Sequence, residues 1–82
     1  MQRYLVLIEK GPSSYGAYAP DVPGCVAVGK TPQEALQRFE EALESHLELI
    51  QEDGEPVPEA TYVEAHFVEV GVGTSLAVTS NL

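Results

Sequence analysis

Thr31-Pro-Gln-Glu-Ala-Leu-Gln-Arg-Phe-Glu-Glu-Ala-Leu-Glu-Ser-His-Leu-Glu-Leu-Ile-Gln-Glu-Asp-Gly54 is the stretch that decides the fold. It begins as a capping box, with Thr31 as N-cap, Pro32 at the first helical position and Glu34 reaching back from the third. Leu36, Phe39, Leu43, Leu47 and Ile50 follow at spacings of three and four and draw one apolar stripe. Gly54 stands where a left-handed C-terminal cap belongs, and Pro56 and Pro58 prevent the helix from resuming. Roughly 22 residues at about 1.5 Å each predict a rod about 33 Å long, enough to cover a small sheet.

The flanking segments supply that sheet. Tyr4-Leu-Val-Leu-Ile8 is β-branched and aromatic, with apolar residues on both alternating faces, which predicts a strand covered on both sides. Lys10-Gly-Pro-Ser-Ser14 is a turn, and Tyr15 to Ala19 returns antiparallel as a second strand. Pro20-Asp-Val-Pro-Gly24 is rigid connecting chain, because Pro20 and Pro23 cannot donate ladder hydrogen bonds. Cys25 to Val28 is a third strand, closed by Gly29. After Glu59 the period changes to two, with Val63, Ala65 and Phe67 on one side and Tyr62, Glu64, His66 and Val68 on the other. This predicts a fourth strand. The expected architecture is α+β in the order β-β-β-α-β: an antiparallel-rich sheet with one long helix on one face. One domain occupies residues 1–70, and residues 71–82 form a tail with a short strand around Leu76 to Val78.

The charge is unevenly distributed. The 82 residues carry 13 acids and 4 bases, a net charge of −9. All four bases (Arg3, Lys10, Lys30, Arg38) lie before residue 40, where the net is +1, whereas residues 40–82 hold ten acids and no base. Such a half-chain is repelled by phosphates, which argues against direct nucleic-acid binding. A hydrophobic fraction of 44% is too high for a disordered acidic tail. The run Tyr4 to Ile8 is too short for a signal-peptide core or a membrane span, and the lone Cys25 cannot close an internal disulfide, so a cytoplasmic protein is expected.

Little in the sequence points to catalysis. Cys25 with His46 and His66 offers a nucleophile and a base, but Cys25 sits among apolar neighbours in Gly-Cys-Val-Ala-Val and lacks the adjacent cation that activates a thiol. No His-x-x-x-His, Cys-x-x-Cys or calcium-loop spacing is present, and no metal or cofactor is expected. The acids show no paired arrangement for acid–base work, and Gly11, Gly16, Gly24 and Gly29 are turn residues at unrelated spacing, not a phosphate loop. The expectation is a protein that is not an enzyme.

The helix's polar face is more informative. Glu40, Glu44, Glu48 and Glu52 succeed one another at i, i+4, and the repulsion within this row forgoes roughly 1 kcal/mol of helix stability. Glu52 and Asp53 also sit at the end where the macrodipole disfavours anions. One reading is a solubilising face; the other is a surface complementary to a basic partner. Leu49 falls off the apolar stripe, and together with the two-sided first strand it suggests a homodimer contact.

Several pieces occur in an order that resembles the HicB antitoxin family. They are Gly16 beside an aromatic residue, the Pro20-Asp-Val-Pro-Gly-Cys25 turn, Gly29-x-Thr31-x-x-Glu34-Ala35, and Asp53-Gly54 leading to Pro58. The resemblance spans about residues 3–70. It implies a partial ribonuclease-H-like sheet without catalytic acids, in a protein that forms homo-oligomers and neutralises HicA toxins, small basic mRNA-cleaving ribonucleases. Under it, Asp21, Pro23, Gly24, Cys25, Gly29, Thr31, Glu34 and Gly54 are structural motif positions, and Glu40, Glu44, Glu48 and Glu52 are the expected partner-binding residues. Many members add a C-terminal DNA-binding module, which the dozen residues after Val70 are not expected to accommodate. The alternative is a stand-alone, non-catalytic structural or ligand-sensing domain, which an apolar pocket under the Pro20–Cys25 turn would favour.

Overall fold

The computed structural model describes residues 2–72. Three short strands, β1 (Leu7–Lys10), β2 (Tyr15–Tyr18) and β3 (Val26–Gly29), precede one helix, α1 (Pro32–Glu52). They form an antiparallel sheet in the order β1-β2-β3. The class is α+β, as the sequence predicts.

β1 begins at Leu7 instead of Tyr4. Its register with β2 pairs Leu7 with Tyr18 and Ile8 with Ala17, and continuing it would set Leu5 opposite Pro20. Proline has no N–H to contribute, so the ladder stops there. The hairpin closes through Gly11 N–H donating to the Ser14 carbonyl at 2.7 Å.

The helix caps follow the sequence closely. Thr31 Oγ1 accepts from Glu34 N–H at 3.0 Å, while the Glu34 carboxylate accepts from Lys30 N–H at 2.6 Å, one residue before the cap. At the other end Gly54 adopts φ +76°, its N–H donates to the Gln51 carbonyl, and Glu55 N–H donates to Ile50. These two bonds make a Schellman motif, which satisfies carbonyls the helix would otherwise leave open.

The core is built from small residues around Phe39: Ala17, Ala19, Val22, Cys25 and Ala35. Ala17 and Ala27 face one another across β2 and β3 beneath α1, and their short side chains let the helix approach closely. Gly29 marks the closest approach. A Cβ there would lie 2.5 Å from Ala35 N and 2.8 Å from Glu34 C, both immovable backbone atoms. The predicted stripe needs one correction: Leu36 is exposed and Ala35 is the buried residue of the first turn. The contact surface at that end is too tight for a leucine, so the helix presents its alanine. Leu49 is 59% exposed, off the stripe as predicted.

The largest departure is the fourth strand. Among the described residues, none after α1 joins the ladder, and residues 61–72 are exposed throughout. The segment passes beside the β1 edge, with Tyr62 and Val63 near Arg3 to Leu5 and Ala65 to Phe67 near Leu5 to Glu9. α1 lies chiefly over β2 and β3, so no layer covers the apolar side of this segment. For the same reason the first strand is only half-buried, without the two-sided cover its composition suggests. The expected strand around Leu76 to Val78 lies outside the described residues.

What holds the chain after the helix is a set of polar contacts. The Tyr4 hydroxyl donates to the Pro58 carbonyl. Ala60 N–H donates to Gln2 Oε1 at 3.0 Å. Thr61 donates to Asp21 twice, from N–H at 2.7 Å and from its hydroxyl at 2.8 Å. Asp21 therefore does more than shape its turn: it fastens a residue forty positions away.

Two measurements check this account. Gly29→Ala forces α1 off the sheet and lowers stability by about 1–3 kcal/mol. Gly24→Ala meets no atom within 4 Å and suffers only its positive φ of +88°, about 1 kcal/mol. Denaturant midpoints should rank Gly29→Ala below Gly24→Ala. Asp21→Ala should speed amide hydrogen exchange at Thr61 at least several-fold while leaving the α1 amides protected, since the charge-assisted bond it removes contributes on the order of 1 kcal/mol.

Candidate partner-binding face

The four glutamates of the row all lie on exposed turns of α1. Glu40, Glu44 and Glu48 line one wall of a groove of about 600 Å³ between the helix and the N-terminal segment, whose floor is Leu43, Leu47, Tyr4 and Val57. Glu52 belongs to the same row but does not line the groove. An apolar floor beside a row of like charges suits a segment that carries both aliphatic and basic side chains.

The row has no cation on its own helix to neutralise it. Arg38, the single base of α1, donates from Nη1 to the Val28 carbonyl at 3.0 Å and pairs with Glu34 at 3.3 Å. It is committed to the N-terminal turn and to the outer edge of β3, away from Glu44, Glu48 and Glu52.

The motif positions have distinct duties. Gly24 and Gly54 supply positive φ, Gly29 supplies close approach, and Thr31 and Glu34 cap the helix. Pro23 is exposed on the turn, and Asp21 anchors Thr61. Tyr4, Gln2 and Thr61 escape sequence reasoning because their partners are remote in sequence and only the fold brings them together.

The thiol and the histidines do not form a reactive set. Cys25 is buried, and burial pushes its thiol above the usual value, which keeps it protonated near neutrality. His46 lines the same shallow depression as Cys25, with Ala42, Ser45 and Leu49, but no hydrogen bond joins the two. His66 stands on the exposed segment after the helix, 2.7 Å from Glu64. Among the described residues, no three His, Cys, Asp or Glu side chains converge as metal ligands. None of the described helices is long and apolar enough to cross a membrane.

A second depression, of about 340 Å³, lies under the Pro20–Cys25 turn. Tyr18, Ala19, Val22, Pro23 and Val26 contribute to its wall, and no charged side chain does. It lacks the convergent polar groups that orient a small molecule.

These features define a small α+β domain with one acidic helix face. A family model described as the HicB-like antitoxin of bacterial toxin–antitoxin systems matches residues 4–73. The chain belongs to the HicB-like antitoxin family. It is 38% identical over 63 residues to an uncharacterised 14.9 kDa protein of Haemophilus phage HP1, covering 77% of this chain and 47% of the phage protein, so it spans about half the length of that relative. A UPF0150 protein of Thermoplasma acidophilum is 35% identical over 57 residues, covering 68% of this chain and 83% of its own length. Among solved structures, a chain of the HicA3 and HicB3 toxin–antitoxin complex is similar with a TM-score of 0.63 and 30% identity, covering 73% of this chain and 70% of the other.

Burial of the thiol has a measurable consequence. A group whose folded pKa is raised contributes stability below its unfolded pKa and loses it as pH climbs through the folded value. Cys25, and at higher pH Tyr4, whose phenol is raised by burial and by the Asp21 carboxylate, should make stability fall above about pH 9. Cys25→Ala should flatten the first part of that decline in a denaturation series. Native Cys25 should also alkylate at least tenfold more slowly than in the unfolded chain.

Proposed function

We propose that this protein is an antitoxin that binds and inhibits a small basic HicA-type mRNA-cleaving toxin, and that Glu40, Glu44, Glu48 and Glu52 draw the toxin to α1. The observation that carries this reading is the uncompensated row beside an apolar groove, in a chain of the HicB-like family. The row weakens its own helix, and no base of α1 relieves it. A purely solubilising face would interleave both signs of charge at no such cost. Inhibition works by occlusion: the acidic face occupies the cationic surface with which the toxin holds RNA, and its field raises the encounter rate.

The alternative is a stand-alone structural or ligand-sensing role without a toxin, for which the depression under the Pro20–Cys25 turn offers apolar surface but no orienting polar group. A HicA-type toxin encoded beside the gene separates the two: under the first reading, co-expression relieves its growth arrest.

The electrostatic part is tested by changing Glu40, Glu44, Glu48 and Glu52 together to Gln and measuring affinity for that toxin across a salt series. The variant should gain roughly 1 kcal/mol of stability through relief of i, i+4 repulsion. It should nevertheless bind on the order of ten- to hundredfold more weakly at low salt, with a flatter salt dependence. Binding that keeps its wild-type salt dependence would defeat the proposed role of the row. Glu52→Gln alone should do least, since Glu52 lies outside the groove.

A further inference from the structure

The geometry points to Asp21 as a positioning residue for the α1 groove: by fastening Thr61 it holds in place the wall against which a partner segment of aliphatic and basic side chains docks. This role rests on the acidic row being a docking face, as the proposed function has it, and concerns the wall opposite that row.

The two sides of the groove are made differently. Leu43, Leu47 and the glutamates come from α1 and are fixed by its backbone hydrogen bonds. The other side is Gln2, Tyr4 and Val57. None of these three belongs to a strand or a helix, because β1 starts at Leu7 and α1 ends at Glu52. Tyr4 is seated against the core. Val57 is held through its neighbour Pro58, whose carbonyl accepts from the Tyr4 hydroxyl, and Gln2 is held by accepting from Ala60 N–H at 3.0 Å. The exit segment after α1 is thus the part of the groove that no regular element positions.

Asp21 secures the end of that segment, although it lines no part of the groove. One carboxylate oxygen accepts from Thr61 N–H at 2.7 Å, and the two oxygens lie 2.8 and 3.0 Å from the Thr61 hydroxyl. A charged acceptor taking both donors of one residue makes this the strongest of the ties to the exit segment, since the acceptors on Pro58 and Gln2 are neutral. Asp21 is itself well founded: the next residue, Val22, is buried in the core. Without the carboxylate, two neutral hydrogen bonds must hold the wall alone.

The occupant's two kinds of side chain make different demands on the site. Basic groups need only Glu40, Glu44 and Glu48, which stay on α1 whatever the exit segment does. Aliphatic groups need cover on both sides, from Leu43 and Leu47 and from Val57, and so need the wall in place. Asp21 therefore governs the apolar share of the affinity and not the electrostatic share. The coupling is reciprocal: an occupied groove holds Thr61 on Asp21.

The test uses the full chain and two labelled synthetic peptides of equal positive charge, one alternating pairs of leucines with pairs of lysines, the other with glycine in place of every leucine. Asp21→Ala lowers the fraction of chains with the wall in place, so it should weaken binding of the leucine peptide roughly three- to tenfold. The glycine peptide, which reads the field alone, should change by less than about twofold. Asp21→Asn offers an amide that accepts from Thr61 N–H and donates to its hydroxyl, and should return leucine-peptide binding to within about twofold of wild type. Without peptide, Asp21→Ala should speed amide hydrogen exchange at Ala60 as well as at Thr61 while the α1 amides stay protected, and in the wild type the leucine peptide should slow both. Ala60 exchange unmoved by Asp21→Ala would overturn the proposal. So would a leucine peptide bound equally by the wild type and Asp21→Ala, or no better than the glycine peptide, or an Asp21→Asn chain as weak as Asp21→Ala. No toxin enters these measurements, so failure of the toxin reading and failure of the role of Asp21 are seen separately.

Discussion

The rest of the structure depends on one steric constraint, the backbone-to-backbone approach of α1 to β3 at Gly29. With no Cβ at that position, Ala35 N and Glu34 C lie closer than any side chain would permit. The close approach carries Ala35 and Phe39 down onto Ala17 and Ala27, so six buried residues, three of them alanines, suffice for a core. A core this small stabilises little through area alone, and its quality lies in fit. The same approach sets how the helix is rolled, and the roll determines which face is left to water: the glutamates point outward because the alanines point inward.

Stability and function are in tension along that outer face. A helix with a basic last turn and alternating charges would be firmer, yet α1 ends in Glu52 and Asp53 and has no basic residue in its last turn. The fold tolerates the strain because the N-terminal turn is secured three ways, by Thr31, by Glu34 and by the Arg38 contact with Val28. Firm capping at one end compensates for repulsion along the other. The most strongly fixed part of the helix is therefore also the part that touches β3.

How much of this was legible in the sequence follows from how local each determinant is. The helix and its caps, the hairpin turn and the halt at Pro20 are written in neighbours three or four apart, and the structure reproduces them to within a few residues. Where size and proximity disagreed, the sequence misled: Leu36 is the larger hydrophobe, but the first turn lies too near the sheet for anything larger than Ala35. The period-two pattern after Glu59 identified a segment able to be a strand without saying what it pairs with, because pairing depends on which edge lies within reach. Asp21 reads as a turn residue, since nothing near it mentions Thr61. The i, i+4 glutamates were visible at once; the groove they border was not, because Tyr4 and Val57 meet there only after the chain has folded back.

The contacts at Pro58, Ala60 and Thr61 have a consequence for motion. They join positions separated by 54, 58 and 40 residues. Closing the first such loop carries nearly the whole entropic cost, since that cost grows only logarithmically with loop length, and the other two then form at little further expense. The three bonds therefore behave as a single clasp, shut or open together. Each is exposed or only partly buried, so the clasp releases well before the alanine-lined core gives way. Asp21 is the fixed half of that clasp, held on the Pro20–Cys25 turn beside the core.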